Sequence, residues 1–314
     1  MTDAALETAS PMTGLLHRLR RDWDAAVVPL VFLAMIAGFH AINPNYLSAA
    51  NIVNVLNQFP ILAMVTLGAS IVIFTGGFDL SAGAVVALSG IIGAIVVDAT
   101  GSVAQAVIMG IGSGLLVGLV NGFFVGYLGV SPLIVTLGAL NVCRELALIV
   151  SGGTPVYSFP PSYTDFGTQR FFGIPVLALI MRFTPLGLYL YAVGGNPRAA
   201  KISGLNVPAI RMLAFAISGA SCGLAGVLLA SRTGGGEPAA GMAYELEAIA
   251  AVILGGAALS GGEGRLWRSL MGILMLSALG NGLNIVGIHP HWKGVAIGAI
   301  LVIAASLDAV KRRR

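Results

Sequence analysis

The chain of 314 residues is 57% hydrophobic and contains 43 glycines, whereas only 10% of its residues are charged. A soluble domain carries about 25% charged residues, and the mean hydropathy of +0.91 is typical of a chain that lies in lipid, where helices pack through small residues. The composition therefore excludes a soluble enzyme and a disordered chain, and two cysteines are too few for a disulfide scaffold.

Ten apolar segments, bounded by proline, glycine or charged residues, follow one another along the chain. A helix needs about 20 mostly apolar residues to cross a bilayer. The segments are residues 25–41, 59–74, 80–97, 103–128, 133–150, 171–191, 210–230, 246–259, 270–286 and 294–307. The first is interpreted as an uncleaved helix, because no cleavage site followed by a charged mature chain comes after it. The sequence thus predicts an all-α, polytopic membrane protein with about ten transmembrane helices.

The basic residues between these segments predict the orientation, because lysine and arginine collect in cytoplasmic loops. With the N-terminus inside, twelve of the seventeen basic residues fall on the inner side and three on the outer side, while Arg144 and Arg182 lie at membrane depth. Both termini are therefore predicted to be cytoplasmic, with residues 1–24 as an N-terminal segment, 25–310 as the transmembrane domain and 311–314 as a basic tail. The cations form no continuous patch, so nucleic acid is not an expected partner.

A glycine recurs every four residues along one face of the fourth segment. The stripe consists of Gly110, Gly114, Gly118, Gly122 and Gly126. Because glycines at this spacing let a second helix backbone approach closely, we interpret the stripe as a helix-packing face rather than as the lining of a pore.

Four polar residues in or beside the segments, Asp79, Asn121, Arg144 and Glu145, are candidates for a solute pathway. Charges inside a membrane are rare and mark functional sites by default. Arg144 and Glu145 are adjacent and do not face each other on a helix, so each is expected to find a partner on another helix. Asp79 follows a break in the apolar run, where its carboxylate can cap the next helix or where unwound backbone can border a water-filled path. The sequence leaves a structural role and a pathway role open.

Enzymatic and metal sites receive little support from the sequence. The serine of Gly219-Ala-Ser-Cys-Gly resembles an intramembrane protease serine, but His40, His289 and His291 all lie at the ends of segments and offer no inward base. His289 and His291 lack acidic or cysteine neighbours that could complete a metal site. The sequence also contains no phosphate-binding loop. We therefore expect no cofactor or metal, and any ATP would be bound by another chain.

The polar, glycine-punctuated loop 194–208 follows the sixth segment on the predicted inner side. It contains a short predicted helix, Pro197 to Ser203, which begins at a proline and ends before Gly204. Such a helix is suited to dock a cytoplasmic partner. The predicted docking residues are Gly194, Gly195, Asn196, Pro197, Arg198, Ala199, Ala200, Lys201, Ser203 and Gly204.

Four blocks of the sequence resemble the ribose-type permeases of bacterial ATP-binding-cassette (ABC) importers. They are TGGFDLSAG (75–83), SPLIVTLG (131–138), YAVGGNPRAAKISGLNV (191–207) and YELEAIAAVILGGAALSGGEG (244–264), and the resemblance extends over about residues 43–307. It implies an inner-membrane permease, working as a homodimer or heterodimer, that imports a monosaccharide such as ribose or xylose. It also implies a periplasmic sugar-binding protein and a cytoplasmic ABC ATPase as partners, with residues 194–207 contacting the ATPase. In the fourth block it places Glu245 and Glu247 at the start of a helix, where acidic side chains complement the dipole.

The sixth segment departs from this family. Only eight apolar residues, Ile174 to Met181, precede Arg182, and they make about 12 Å of helix. Leu188 also stands where the family has a basic residue. The sequence therefore leaves a second hypothesis open, a transport-impaired or partner-dependent permease homologue, and an intramembrane enzyme as a more distant third.

Overall fold

A computed structural model of the protein describes residues 29–157, 160–168, 185–289 and 291–312. Within these ranges the chain is helical and forms no strand, which confirms the predicted all-α class. The sixth predicted segment lies mostly outside the described residues, as do Arg182 and residues 1–24.

The helices are numbered here in chain order, with a 3₁₀ turn at Pro44–Leu47 between the first two. They are α1 (Pro29–Ile42), α2 (Ala49–Phe74), α3 (Ala82–Thr100), α4 (Val103–Gly126), α5 (Pro132–Ser151), α6 (Pro161–Thr168), α7 (Pro185–Gly195), α8 (Pro197–Ile202), α9 (Val207–Thr233), α10 (Tyr244–Leu254), α11 (Leu266–Ile285) and α12 (His291–Arg312).

Five of these helices, α2, α3, α4, α5 and α9, are long and apolar enough to cross a membrane. Shorter apolar helices occupy Pro29–Ile42, Leu186–Gly195 and His291–Ile303. These helices support a multi-pass membrane protein, whereas the number of ten spans and the cytoplasmic position of both termini stay predictions.

α9 is the central helix and packs against α2, α3 and α4. Its buried residues include Phe215, Cys222 and Ala225. On the far side of α2, α10 and α11 form a second layer whose core includes Leu62 and Ile273. α2 is therefore shared between the two layers, and α5 lies at the edge, against α3 and α4.

The glycine stripe of α4 lies against α9. Gly110, Gly114, Gly118 and Gly122 are buried. A side chain at Gly118 would overlap the carbonyl oxygen of Phe215 on α9, and the remaining glycines of the stripe also abut α9. The absence of side chains lets the two backbones touch, which is the geometry of a close helix crossing.

The connections between helices gather at two ends of the bundle. At one end the Gly262 N–H donates to the Phe74 carbonyl (3.0 Å), which joins the loop after α10 to the end of α2. At the other end Arg232, in the last turn of α9, donates to the Asn57 carbonyl (2.7 Å) near the start of α2. We call these the inner and outer ends, after the sides that the basic residues predict.

The polar stretch before the second predicted span is helical rather than a loop. α2 begins at Ala49, one residue after Ser48, whose hydroxyl accepts from the Asn51 N–H (3.3 Å). The amides of residues 51–58 limit the apolar run to the residues after them, but the helix continues through them. Solvent-facing asparagine and glutamine are compatible with helical backbone. α2 consequently projects by more than two turns beyond its apolar part.

Candidate functional site

A buried polar cluster is centred on Asp79, which is only 3% exposed. One carboxylate oxygen accepts from the Ser81 N–H (3.1 Å) and the Ser81 hydroxyl (2.6 Å), and the other accepts from the Ser218 hydroxyl of α9 (2.8 Å). Asn121 of α4 donates its amide to the Ser81 hydroxyl (3.0 Å). The cluster thus brings together Asp79 and Asn121, two of the four pathway candidates, and ties α3, α4 and α9 to one carboxylate.

Asp79 binds the start of α3 from two residues before the N-cap residue, Ser81. Ser81 is the N-terminal flanking residue of α3, and its own side chain makes no capping bond to the helix. The carboxylate instead accepts from the Ser81 backbone and also reaches α9. The broken backbone before it is held by protein groups: Gly76 has a positive φ of 79° and abuts the Ser260 carbonyl of the loop after α10. Protein therefore surrounds this break in the apolar run.

Arg144 makes its hydrogen bonds to the backbone of a non-helical segment, which the sequence did not predict, while Glu245 of α10 is an opposite charge on another helix that interacts with it. Its guanidinium donates to the carbonyls of Pro238 (2.7 Å) and Ala240 (2.8 Å). Both belong to segment 234–243, which joins α9 to α10. A fixed, always charged guanidinium suits this task, because it satisfies two carbonyls that no helix or strand pairs.

Segment 234–243 runs back along α3 from the outer end. Its Gly236 packs on Ile91 and its Gly241 on the carbonyl of Gly83, near the N-terminus of α3. α10 then begins at Tyr244 and has only eleven residues. The eighth predicted span, 246–259, is therefore a short helix preceded by irregular backbone, an arrangement that membrane proteins tolerate where protein or a cavity surrounds it.

Glu145, next to Arg144, is exposed on α5, and Asn141 lies one turn before it on the same face. Within the described ranges, no side chain binds the Glu145 carboxylate, so the expected partner on another helix of this chain is not found there. A charge on an apolar, membrane-length helix requires water or a partner. This face of α5 therefore requires water or a partner from outside the described part of the chain.

The docking loop contains α8, and two asparagines of the loop cap α8 and the following helix α9. The Asn196 side chain accepts from the Ala199 N–H (3.0 Å), Pro197 opens the helix, and Gly204 follows it with a φ of 86°. Asn206 in turn caps α9 by accepting from the Ala209 N–H (3.2 Å). The predicted helix limits, Pro197 to Ser203, agree with the structure to within one residue.

The outward face of α8 is basic and apolar. Arg198 and Lys201 are exposed, and Ile202, the last residue of α8, is 88% exposed. In the described part of the chain neither cation has an acidic partner. A groove of about 570 Å³ adjoins them, bordered further by Leu205 and Pro208.

Gly194 links α8 to the inner end of the bundle. A side chain at Gly194 would overlap the Phe74 carbonyl and meet the Gly262 nitrogen. Tyr191, one turn earlier on α7, stacks on Phe74 with ring centroids 5.0 Å apart. The end of α7, the end of α2 and the loop after α10 are therefore in direct contact where α8 begins.

Three members of these sites were not predicted from the sequence. Ser218 and Ser81 complete the Asp79 cluster, and Lys293 at the start of α12 pairs with Glu247 of α10 through contacts of 2.8 Å to both carboxylate oxygens. The sequence predicts only an interaction with the helix dipole for Glu247. The separation of 139 residues between Ser218 and Asp79 left no local signal in the sequence. Within the described ranges no three His, Cys, Asp or Glu residues lie close enough to hold a metal.

The chain resembles known permeases over most of its length. The family described as "Branched-chain amino acid transport system / permease component" matches residues 51–305. The chain is 38% identical to the ribose import permease protein of Bacillus subtilis, over 86% of this chain and 88% of the relative. It is 34% identical to the D-allose transport system permease protein of Escherichia coli K12 (91% and 92% covered) and 33% identical to the galactose/methyl galactoside import permease protein of Salmonella typhimurium (92% and 94%). No solved structure matches it.

Proposed function

This chain belongs to the ribose-type sugar permeases of ABC importers, and we propose that it carries a monosaccharide such as ribose or xylose across the bacterial inner membrane. A periplasmic sugar-binding protein would deliver the sugar. Because the sequence has no phosphate-binding loop, ATP would be hydrolysed by a separate cytoplasmic ABC ATPase. The relatives that support a sugar are named for ribose, allose and galactose.

The exposed face of α8 is the observation that carries this proposal. Arg198 and Lys201 offer cations that have no acidic partner among the described residues, and Ile202 offers an apolar side chain beside a groove of about 570 Å³. Docked proteins combine a desolvated apolar anchor with complementary charge around it. We propose that this face docks on an acidic, apolar-lined recess of the ATPase.

The contacts of α8 give a path by which closure of the ATPase would reach the membrane. Displacement of α8 would push Gly194 against the Phe74 carbonyl and the Gly262 backbone. Phe74 ends α2 just before the break that leads to Asp79, and Asp79 binds α9 through Ser218. A displacement of α8 would therefore be transmitted to the Asp79 cluster through contiguous backbone contacts, as coupling between two sites requires.

The open face of α5 supports a second permease copy as a partner. Glu145 and Asn141 lie on this face, exposed on a membrane-length helix. Two copies placed with these faces towards each other would enclose a polar, water-filled space between them and remove both carboxylates from lipid. We propose that Glu145 borders the solute pathway there, and that Arg144 acts on it indirectly, through segment 234–243.

Charge reversal on α8 tests the docking step. The double variant Arg198→Glu/Lys201→Glu is expected to lose co-purification with the ATPase and stimulation of ATP hydrolysis by the sugar-loaded binding protein. The matched control Arg198→Lys/Lys201→Arg preserves both charges and is expected to retain both properties. Full stimulation in the reversed variant would place docking elsewhere on the inner end.

The second hypothesis, a transport-impaired homologue, stands on the short apolar run 174–181. Growth on candidate sugars after deletion of the chromosomal copy separates the two hypotheses. Complementation by the native chain supports an active importer. Complementation only by a chain with extra apolar residues inserted in that run would support the impaired homologue.

A further inference from the structure

A polar cavity of about 300 Å³ lies among the outer ends of α2, α11 and α12. Its lining is rich in side-chain amides, contributed by Asn51, Asn54, Gln58, Asn281 and Asn284. The size falls at the lower end of the range of about 300–1,000 Å³ in which proteins bind small molecules. The asparagine-rich stretch that the sequence places before the second span thus becomes one wall of a concave site.

The two walls of the cavity are fixed to each other by a reciprocal amide pair. Asn51 of α2 donates to the Asn281 side-chain oxygen (2.9 Å), and Asn281 of α11 donates back to the Asn51 oxygen (2.9 Å). The Asn51 amide also donates to the Tyr46 carbonyl (2.7 Å). The amides at this position are therefore held in place before any ligand arrives, which lowers the entropy cost of binding.

Other amides of the lining remain available to a ligand. Asn54 and Asn284 are exposed on α2 and α11, each three residues beyond a member of the fixed pair. The Asn54 oxygen accepts from the Gln58 amide (3.1 Å), and its own NH₂ group is left to donate. Each amide offers two donors and an acceptor in one plane, so neighbouring hydroxyls on a ring can be bound as donor and acceptor together.

An ion pair neutralises the one charge that the described residues contribute to the lining of the cavity. Lys293 is the charged residue of its lining, and the buried Glu247 binds its ammonium through both carboxylate oxygens at 2.8 Å. Gly280 has no side chain to obstruct the lysine methylenes, which a Cβ there would meet at 2.9 Å. An anionic headgroup or a free amino acid would find no unpaired cation here, whereas a neutral ligand would meet only dipoles.

We propose that this amide-lined cavity binds a neutral polyhydroxylated solute, a monosaccharide, at the outer end of the permease itself. The choice of a sugar rests on the proposed function. The site lies between α2, α11 and α12 and contains none of the α5 residues assigned to the pathway. It would receive or retain sugar on the outer side before passage.

Equilibrium binding to the purified permease, in detergent and without the binding protein, tests the site. D-ribose, D-allose and D-galactose are the probes, and leucine is the control ligand. At least one sugar is expected to bind and leucine is not. The double variant Asn54→Ala/Asn284→Ala is expected to bind that sugar about tenfold more weakly, because it removes two hydrogen bonds of ordinary strength.

Asn57→Ala provides the matched control. Asn57 is an exposed asparagine at the same end of α2 but does not line the cavity, so its removal is expected to leave the affinity unchanged. An unchanged melting temperature of the double variant verifies folding, and the single variant Asn284→Ala is expected to show a smaller loss in the same direction.

Two results overturn the proposed site: no binding of any of the three sugars to the native permease, or equal affinity in the native and double-variant proteins. The same preparations are assayed for ATP hydrolysis stimulated by the sugar-loaded binding protein. If stimulation persists while the cavity fails to bind sugar, the importer function stands and only the cavity assignment falls. A failure of stimulation with every sugar would count against the importer function separately.

Discussion

α4 and α5 follow each other in the chain, have similar lengths and are both apolar enough to span a membrane, yet they pack in opposite ways. α4 presses five glycines against α9, so that backbone meets backbone. α5 buries little beyond Thr136, Cys143 and Ala147 and exposes Glu145. α4 thus packs against a helix of this chain, whereas α5 exposes a carboxylate that requires water or another partner.

The difference separates a framework from a working surface. Close packing through glycine leaves no side chains that can re-pack, so α4 and α9 are expected to move as one body. α5 packs on α3 and α4 through a few small buried residues, and its Arg144 also binds segment 234–243. The exposed Glu145 carboxylate is unfavourable in lipid. We therefore propose that the α4–α9 pair is rigid and that α5 contacts the solute.

Gly118→Ala is expected to have the largest effect, because its methyl group would overlap the Phe215 carbonyl. Overpacking of this kind costs up to about 3 kcal/mol of stability, and thermal unfolding in detergent measures it. Gly112→Ala is the matched control on the same helix, where nothing lies within 4 Å. This control is expected to be neutral or slightly stabilising, since alanine favours a helix. Equal melting temperatures for both variants would mean that α4 and α9 are not closely packed at Gly118.

Arg144→Leu tests whether the Arg144 guanidinium holds segment 234–243 against α5. The change leaves the Pro238 and Ala240 carbonyls without their donor and is expected to cost about 2 kcal/mol. A cysteine placed at Ala239 should then react faster with a membrane-impermeant thiol reagent. Arg144→Lys keeps a cation near these carbonyls and is expected to fall between the variant and the native protein. An unchanged labelling rate in Arg144→Leu would show that the segment is held by other contacts.

Glu145→Gln is expected to have the smallest effect on stability and a selective effect on function. The residue is exposed and has no bond to lose within the described ranges, so the free energy of unfolding should stay within about 0.5 kcal/mol of the native value. Sugar uptake should fall about tenfold, whereas Glu145→Asp, which keeps the charge, should retain most of it. Normal uptake by Glu145→Gln would remove this face of α5 from the pathway.

Features that depend on local spacing could be predicted from the sequence. The glycine stripe has the period of one helix face, and the limits of α8 follow from Asn196, Pro197 and Gly204. The apolar runs gave most helices but missed the ten residues of α2 before Phe59, because amides interrupt hydropathy without interrupting a helix. The apolar runs also did not predict that segment 234–243, between two of them, packs along α3 as irregular backbone.

Contacts between distant residues could not be predicted. Ser218 meets Asp79 across 139 residues, and Lys293 meets Glu247 across 46. Arg144 donates its hydrogen bonds to backbone carbonyls, which carry no side-chain signature, so the sequence predicted a partner on another helix and not these carbonyls. Chain topology, rather than residue type, decides which polar groups share a site.

ATP-driven uptake tests the central claim most directly. The native permease and its ATPase are reconstituted in vesicles with ATP inside, and the sugar-binding protein and labelled D-ribose, D-allose or D-galactose are added outside. The account predicts ATP-dependent accumulation of at least one sugar by the native chain and its loss in Arg198→Glu/Lys201→Glu. An assembled native complex that accumulates none of the three sugars, or a charge-reversed variant that accumulates them at the native rate, would contradict it.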